Sequence, residues 1–201
     1  MAEIPLFPLP LVFFPGGRLP LQIFETRYLD MVKQCVKDKT GFGVVLIDEG
    51  DHVLRDQESQ LPTIRHTGTY GTIVDFDQRD NGMLSILVEG QVKFVIRDHY
   101  EQADRLMLGD VEFLATEEAV ALPDHQQHLS ELLKALMEHD NVSQLNLQVD
   151  YERATDVGCR LAELVRSPLD FQQRLLEMKD PLRRVDAVEK LIQKIQEQPR
   201  E

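Results

Sequence analysis

The chain has 201 residues, of which 42% are hydrophobic and 28% are charged. These values are ordinary for a globular protein and exclude a disordered or fibrous chain. An excess of 35 acidic over 22 basic residues gives a formal net charge of −13, which opposes binding to nucleic-acid phosphates and to anionic lipid surfaces. The composition therefore predicts a folded protein with neither nucleic acid nor membrane as a partner.

The chain contains two cysteines, Cys35 and Cys159, whose spacing fits neither a metal site nor a disulfide framework. We expect both to be buried apolar side chains in a reducing compartment. No basic, apolar leader is visible at the start, and no apolar run is long enough to cross a bilayer. These features predict a cytoplasmic protein.

The first forty residues combine extended segments with one helix. Prolines alternate with large apolar residues over residues 4–11, which predicts an edge or extended strand because proline cannot donate to a ladder. Residues 14–17 read Phe-Pro-Gly-Gly and predict a turn. Apolar residues at helical spacing over residues 25–38 predict a short amphipathic helix; they are Tyr28, Val32, Cys35 and Val36.

Further strands are predicted where apolar, β-branched and aromatic residues cluster. The strongest hairpin signal is Asp-Asn-Gly at residues 80–82, and Gly90-Gln91 predicts a turn or bulge between two strands. The polar residues 48–61 predict a surface loop. The predicted strands cover residues 42–47, 68–76, 83–89, 92–96 and 106–114.

Beyond residue 122 the apolar residues recur with the period of amphipathic helices. Asp124, Ser167 and Asp180 each stand where an N-cap is expected, and Pro168 and Pro181 would occupy first helical positions. A strand-rich front and an all-helical rear, without strand-helix alternation, predict the α+β class. We place the division at residues 1–115 and 116–201.

The sequence contains none of the catalytic motifs that we tested. No glycine is followed by lysine, as a phosphate-binding loop requires, and no serine lies in a G-x-S-x-G elbow. His125 and His128 are one turn apart but lack a third ligand, so a solvated helix face is favoured over a metal site. We therefore predict no catalytic residue, no cofactor and no metal.

Charged pairs are interpreted as solvated. Arg183-Arg184 is the only adjacent basic pair, and we expect it on a solvated helix face. Glu117-Glu118 would serve acid–base chemistry only in a pocket that separates their pKa values. In a loop of an acidic chain, solvation is the expected state.

Three segments carry a family pattern. Residues 4–9 read IPLFPL, and residues 12–17 and 19–28 read VFFPGG and LPLQIFETRY; residues 68–74 read GTYGTIV, and residues 82–90 read GMLSILVEG. Together they resemble the Lon protease N-terminal (substrate-binding) domain family, with its P-L-F-P-L, F-P-G, P-L-x-I-F-E-x-R-Y, G-T-x-A-x-I and D-G-x-x-x-I-x-V-x-G patterns. Gly71 stands where a small residue is usual, and Asn81 replaces an acidic turn residue.

The resemblance implies a PUA-like small β-barrel with an embedded helix over residues 1–115 and a helical bundle over residues 116–201. It implies a non-catalytic polypeptide-binding module, since these residues show no ATPase or Ser-Lys protease module. The implied partners are unfolded or flexible polypeptides, together with a protease or another protein. A homodimer is left open.

The motif residues have two interpretations. Phe7, Phe13, Phe14 and Leu21 are expected in the barrel core, and Glu25 and Arg27 are expected to cap and pair at the helix start. The segment around Phe13 nevertheless holds more large apolar side chains than a solvated turn needs. The predicted peptide-binding residues are therefore Phe13, Phe14, Pro15 and Leu19, with burial in the core as the competing interpretation.

Two functions from other classes, and a purely structural or assembly role, stay open at this point. One is a hydrolase or another enzyme with an unrecognised pocket, which the missing motifs oppose. The other is RNA binding through a PUA-like barrel, which the net charge of −13 opposes.

Overall fold

The computed structural model describes residues 1–50, 61–78 and 83–197. The chain divides into two compact units, Met1–Ala115 and Thr116–Glu201. The first unit holds the strands and one helix, and the second is helical. The predicted turn at residues 80–82 and most of the predicted loop at residues 48–61 lie outside the described residues.

The first unit contains a six-stranded mixed sheet with the order β2-β5-β4-β3-β1-β6. β1 and β3 run parallel, and the other described pairs are antiparallel. The strands are β1 (Ala2–Leu9), β2 (Arg18–Ile23), β3 (Gly41–Glu49), β4 (Thr63–Gln78), β5 (Leu84–Glu101) and β6 (Met107–Phe113).

β5 is one 18-residue strand that changes its partner along its length. Residues 84–89 pair with β2, and most of residues 94–101 pair with β6. The register against β4 shifts between Gly90 and Val92, so Gly90-Gln91 forms a bulge within one strand and not a turn between two. β5 pairs with β6 as well as with β4, so this pairing joins the two ends of the row β5-β4-β3-β1-β6, and β2 is added outside that row. The result is a six-stranded sheet and not the clean small barrel that the resemblance implied.

The first segment is extended, as predicted, but its predicted edge position is wrong. β1 lies between β3 and β6 and is staggered, because residues 2–6 pair with β6 and residues 6–9 pair with β3. Pro5 falls in the half that pairs with β6, and Pro8 falls in the half that pairs with β3. Each proline thus pairs with one neighbouring strand only. Its nitrogen, which has no hydrogen to donate, can face the side on which no strand is paired, so no ladder is broken.

Helix α1 (Thr26–Asp38) covers one side of the sheet. Its buried residues include Tyr28, Val32 and Cys35, as the helical spacing predicted, whereas Val36 is 42% exposed. The Tyr28 ring stacks on Phe7 with the ring centroids 4.0 Å apart. A second core cluster forms around Leu6, Phe94 and Val111. Burying each large apolar side chain stabilises the fold by roughly 1.5–3 kcal/mol.

The second unit begins with an extended segment, in which Ala121 forms an isolated β-bridge with Arg153, and continues with a short 3-10 helix, Asp124–Gln126, and α-helices. Their buried stripes follow the helical period that the sequence showed, as at Val157 and Leu161 or at Val185 and Val188. The helices are α2 (Gln127–Met137), α3 (Asp140–Ser143), α4 (Ala154–Leu164), α5 (Leu169–Glu177) and α6 (Pro181–Glu197).

One of the three predicted N-caps is confirmed. The carboxylate of Asp180 accepts hydrogen bonds from the amides of Leu182 (2.9 Å) and Arg183 (3.4 Å), and Pro181 is the first residue of α6. Asp124 instead lies inside the 3-10 helix, and Pro168 takes the cap position expected for Ser167. In both wrong cases the true N-cap lies one residue from the predicted one. The N-cap residues are Pro123 and Pro168, and the backbone of each has extended angles.

Candidate functional site

The turn between β1 and β2 is held against the bulge of β5. Gly16 has a φ of 75°, a left-handed conformation that favours glycine. Its amide donates to the carbonyl of Gly90 (2.8 Å), and the amide of Gly90 donates to the carbonyl of Gly17 (2.9 Å). These bonds continue the β2–β5 ladder by one residue pair, so the turn fixes where β2 begins.

The structure separates the four predicted peptide-binding residues into two pairs. Phe13 and Phe14 are 4% and 0% exposed, and the hydroxyl of Thr69 donates to the carbonyl of Phe13. Pro15 and Leu19 are half-buried. Peptide binding by these residues stays a prediction, and only Pro15 and Leu19 present side-chain surface to a partner without rearrangement of the turn.

Leu19 belongs to a larger apolar face that is formed by β2, β5 and β4. Residues directly opposite each other in a sheet share a face, and the registers align Leu19, Val88 and Ile73 in one row and Leu21, Ile86 and Phe76 in the next. Val88 and Ile86 belong to the core cluster that α1 covers, and Leu19, Leu21 and Ile73 are partly buried against it, whereas Phe76 is 61% exposed. These six residues are called the β2–β4 apolar face below.

The β2–β4 apolar face ends at a strand edge. Among the described strands, β2 pairs with β5 alone, whereas β6 pairs with both β1 and β5. The outer edge of β2 therefore has no strand partner within the described part of the chain. Phe24, which follows β2 directly, is 57% exposed. An unpaired strand edge beside exposed apolar side chains is the arrangement that accepts an added strand.

The start of α1 shows the pairing predicted for Glu25 and Arg27. Arg27 Nε lies 3.1 Å from a carboxylate oxygen of Glu25, and Arg27 Nη1 donates to the carbonyl of Arg105 at 2.9 Å. The guanidinium also lies over the Tyr28 ring, 4.4 Å from its centroid. Burial raises the pKa of Tyr28 to about 12. The ring is thus neutral at physiological pH, and the Glu25–Arg27 pair ties the start of the helix to the carbonyl of Arg105.

The helical unit contains a buried cation that the sequence interpretation missed. Arg184 is 0% exposed and pairs with Glu117, whereas its neighbour Arg183 is exposed. The predicted solvated states of Arg184 and Glu117 are therefore wrong. Arg184 falls on the stripe formed by Pro181, Val185 and Val188, so the helical period carried the signal that its side chain points inward.

Both thiols are poor nucleophiles at neutral pH. Burial raises the pKa of Cys35 and of Cys159, and in Cys159 the effect of burial exceeds the opposing effect of the nearby Arg184. Both side chains are buried and free, as predicted. Because the thiolate is the reactive form, neither cysteine suits nucleophilic catalysis.

Of the two predicted histidines, His128 lies near a carboxylate. His128 Nε2 lies 3.1 Å from a carboxylate oxygen of Glu189. Within residues 1–50, 61–78 and 83–197, no group of three or more His, Cys, Asp or Glu side chains could hold a metal ion. In the same part of the chain, no helix is both long and apolar enough to cross a membrane.

Comparison with known proteins adds a family and several relatives. Residues 3–194 match the family described as the ATP-dependent protease La (LON) substrate-binding domain. The chain is 24% identical over 195 residues to a Lon protease of Vibrio parahaemolyticus and 22% identical over 217 residues to one of Anaeromyxobacter dehalogenans. These matches cover 94% and 98% of this chain but 23% and 24% of the relatives. The chain therefore spans about a quarter of their length.

Two solved structures are similar to this fold. A Lon N-terminal domain protein from Xanthomonas campestris has a TM-score of 0.73 and 28% sequence identity, with 99% of this chain and 100% of that chain covered. The N-terminal domain of a Mycobacterium avium complex Lon protease has a TM-score of 0.55 and 14% identity, with 93% and 96% covered. At that identity the second match supports the fold alone.

Proposed function

Since this chain belongs to the family of ATP-dependent protease La (LON) substrate-binding domains, we propose that it binds extended, apolar segments of unfolded polypeptides without cleaving them. The observation that carries the proposal is the outer edge of β2, which has no strand partner within the described part of the chain, with Phe24 exposed directly after it and Phe76 exposed two strands away on the β2–β4 apolar face. Recognition by strand addition takes its affinity from backbone hydrogen bonds and its specificity from alternate side chains.

The proposed complex places a guest strand along β2. Every second guest side chain then extends the rows of Leu19 and Leu21 and adds to the β2–β4 apolar face. Pro20 lacks a backbone donor, which limits the ladder that β2 can form and favours weak, sequence-tolerant binding. Weak binding suits a protein that must release many different polypeptides.

The test replaces Phe24, which follows β2 directly, by serine and measures capture of a fluorescent, permanently unfolded protein, reduced and carboxymethylated lactalbumin, by anisotropy. Because Phe24 is 57% exposed, Phe24→Ser should change stability by no more than about 0.5 kcal/mol. We expect the Kd to rise about tenfold, which corresponds to about 1.4 kcal/mol.

The matched control is Ile195→Ser in α6, which removes a large apolar side chain that is 45% exposed. The control should bind the unfolded protein as the parent does. Equal affinity of the parent and Phe24→Ser would remove the end of β2 from the binding site. Equal losses in Phe24→Ser and Ile195→Ser would show that capture reflects general surface hydrophobicity.

The proposal assigns recognition, and not chemistry, to this chain. The matched relatives are named proteases, and this chain spans about a quarter of their length. We propose that a separate protease or another protein partner acts on what this chain holds. Purified protein should neither hydrolyse ATP nor cleave casein, and activity that copurifies with the chain and disappears on one point substitution in it would contradict this assignment.

A further inference from the structure

The two halves of β1 are held to the sheet in different ways. In the described registers residues 2–5 pair with β6 alone, whereas residues 6–9 pair with β3. Leu6 is fully buried and the Phe7 ring stacks on Tyr28, so the second half is anchored in both core clusters. Among residues 2–5, Ile4 alone is buried. We call residues 2–5 the β1 strap.

Three carboxylates face one another across the β1 strap, β6 and β5. The registers place Glu3 directly opposite Asp110, and Asp110 directly opposite Asp98 on its other side. Directly opposite residues have their Cα atoms about 4.5–5.5 Å apart and share a face of the sheet. Like charges in such positions destabilise the pairing. Closing the strap therefore brings Glu3 beside two carboxylates that already oppose each other.

No ion pair offsets this row within the described part of the chain. Arg97 occupies the bulge beside Asp98, but its guanidinium pairs with Glu112, with Nε 3.0 Å from a carboxylate oxygen. The Asp98 carboxylate accepts instead from the backbone amide of the next residue at 2.8 Å. The cation nearest to the row in sequence is thus directed to another carboxylate.

A neutral donor holds the carboxylate of the β1 strap. The Tyr100 hydroxyl donates to Glu3 at 2.7 Å. This bond raises the pKa of Tyr100, and the negative charge of Asp110 adds to the increase. Because the donor is neutral, it orients the Glu3 carboxylate and leaves its charge in place.

We propose that the β1 strap opens from β6 as one segment while residues 6–9 stay in the sheet. Pro5 lies at the boundary between the two halves and has no amide hydrogen to donate. Opening separates Glu3 from Asp110, exposes Ile4 and frees the backbone of residues 108–111 in β6. Proteins open locally in such segments at a lower cost than global unfolding. The sheet then presents a second edge, which is covered in the closed state.

The first experiment measures hydrogen exchange of the backbone amides by NMR in the full chain, at low concentrations of guanidinium chloride. We expect the best-protected amide among residues 2–4 to have a protection factor about 100-fold lower than the best-protected amide among residues 6–9. Its exchange should also depend less on denaturant, because a short segment exposes little surface when it opens. Equal protection and equal denaturant dependence in both halves would show that β1 opens only as a whole, and would overturn the proposal.

The second experiment changes the charge that the β1 strap meets. Asp110→Asn keeps an acceptor and removes the repulsion of Glu3, so it should raise the protection factor of the strap about threefold. Asp110→Lys places a cation between Glu3 and Asp98 and should raise it about tenfold. Both positions of the comparison are exposed, and the protection of residues 6–9 serves as the reference for global stability.

The matched control is Asp77→Asn, which removes the same charge from an exposed position of β4 that lies opposite Ser85. It should leave the protection of the β1 strap unchanged. If Asp77→Asn and Asp110→Asn raise that protection equally, net charge explains the effect and the carboxylate row plays no part. An unchanged or lower protection of the strap in Asp110→Lys would equally overturn the proposal.

Discussion

Arg184 and Glu117 form a buried ion pair in the helical unit, with Arg184 Nη1 2.8 Å from a carboxylate oxygen of Glu117. The guanidinium also donates to the carbonyls of Leu175 (2.9 Å) and Met178 (2.7 Å) at the end of α5. Burial lowers the pKa of Arg184, but the hydrogen bond and the charge of Glu117 outweigh it, and the pKa is raised. One cation therefore joins α6, the end of α5 and the segment before the 3-10 helix.

Arg184→Met should lower the free energy of unfolding by about 3–5 kcal/mol, because it removes the cation that compensates the largely buried carboxylate of Glu117. Urea denaturation followed by circular dichroism measures the loss. Arg183→Met is the matched control, since the Arg183 side chain is 82% exposed, and its effect should stay within about 0.5 kcal/mol.

The double variant Arg184→Met/Glu117→Gln tests the cause. It removes both charges, so it should recover part of the stability that Arg184→Met loses. The single variant Glu117→Gln is measured as well. If the losses of stability of the two single variants simply add up in the double variant, the two side chains act independently and the explanation is wrong.

Gly90→Val should destabilise the first unit by at least the roughly 1–3 kcal/mol typical of overpacking. A Cβ atom at Gly90 would lie 2.5 Å from the carbonyl oxygen of Phe14 and 3.2 Å from the Phe13 ring. The neighbouring Gln91 is exposed, so Gln91→Val is the control and should be much milder. Thermal melts that place Gly90→Val at the parent's Tm would contradict this close approach.

Phe14→Ala should lower the free energy of unfolding by about 3–5 kcal/mol, since Phe14 is fully buried and its truncation leaves a cavity. Chemical denaturation measures this loss, and capture of unfolded lactalbumin is measured at a temperature at which the variant stays folded. A large loss of stability with intact capture assigns Phe14 to the core. Unchanged stability with tenfold weaker capture would instead assign it to the recognition surface.

Alkaline unfolding should depend on Tyr28. Its pKa is about 12 in the folded protein against an ordinary value near 10. The folded state thus holds the phenolic proton more tightly, so this contribution is complete below about pH 10 and is lost as the pH rises towards 12. The loss is about 2–3 kcal/mol. Tyr28→Phe should remove this part of the pH dependence, and identical stability profiles from pH 9 to 12 for the parent and Tyr28→Phe would refute the assignment.

Local patterns in the sequence were sufficient for most helices and strands. The stripes over α4 and α6 predicted which residues are buried, because the helical period is a property of a few consecutive turns. The motif residues Gly16 and Gly90 indicated the turn and the bulge for the same reason. The family followed from segments of ten residues or fewer.

The position of each strand in the sheet depends on pairing between distant residues, which a local pattern does not contain. The prolines of β1 predicted an edge, but the stagger between β3 and β6 places that strand inside the sheet. The free edge belongs instead to β2. The apolar spacing of α6 places Arg184 on the buried side of the helix. Only the packing around Glu117 shows that a cation can be buried there.

The sequence by itself therefore determined the class, the order of the elements, the family and the character of the segment around Phe13. The tertiary structure alone decided which apolar residues stay exposed and which charges meet. Phe76 lies two strands from Leu21 in the sheet, and Arg184 of α6 pairs with Glu117 from the segment before the 3-10 helix. The β2–β4 apolar face and this ion pair form only when the chain folds, because segments far apart in sequence contribute the strands and side chains that compose them.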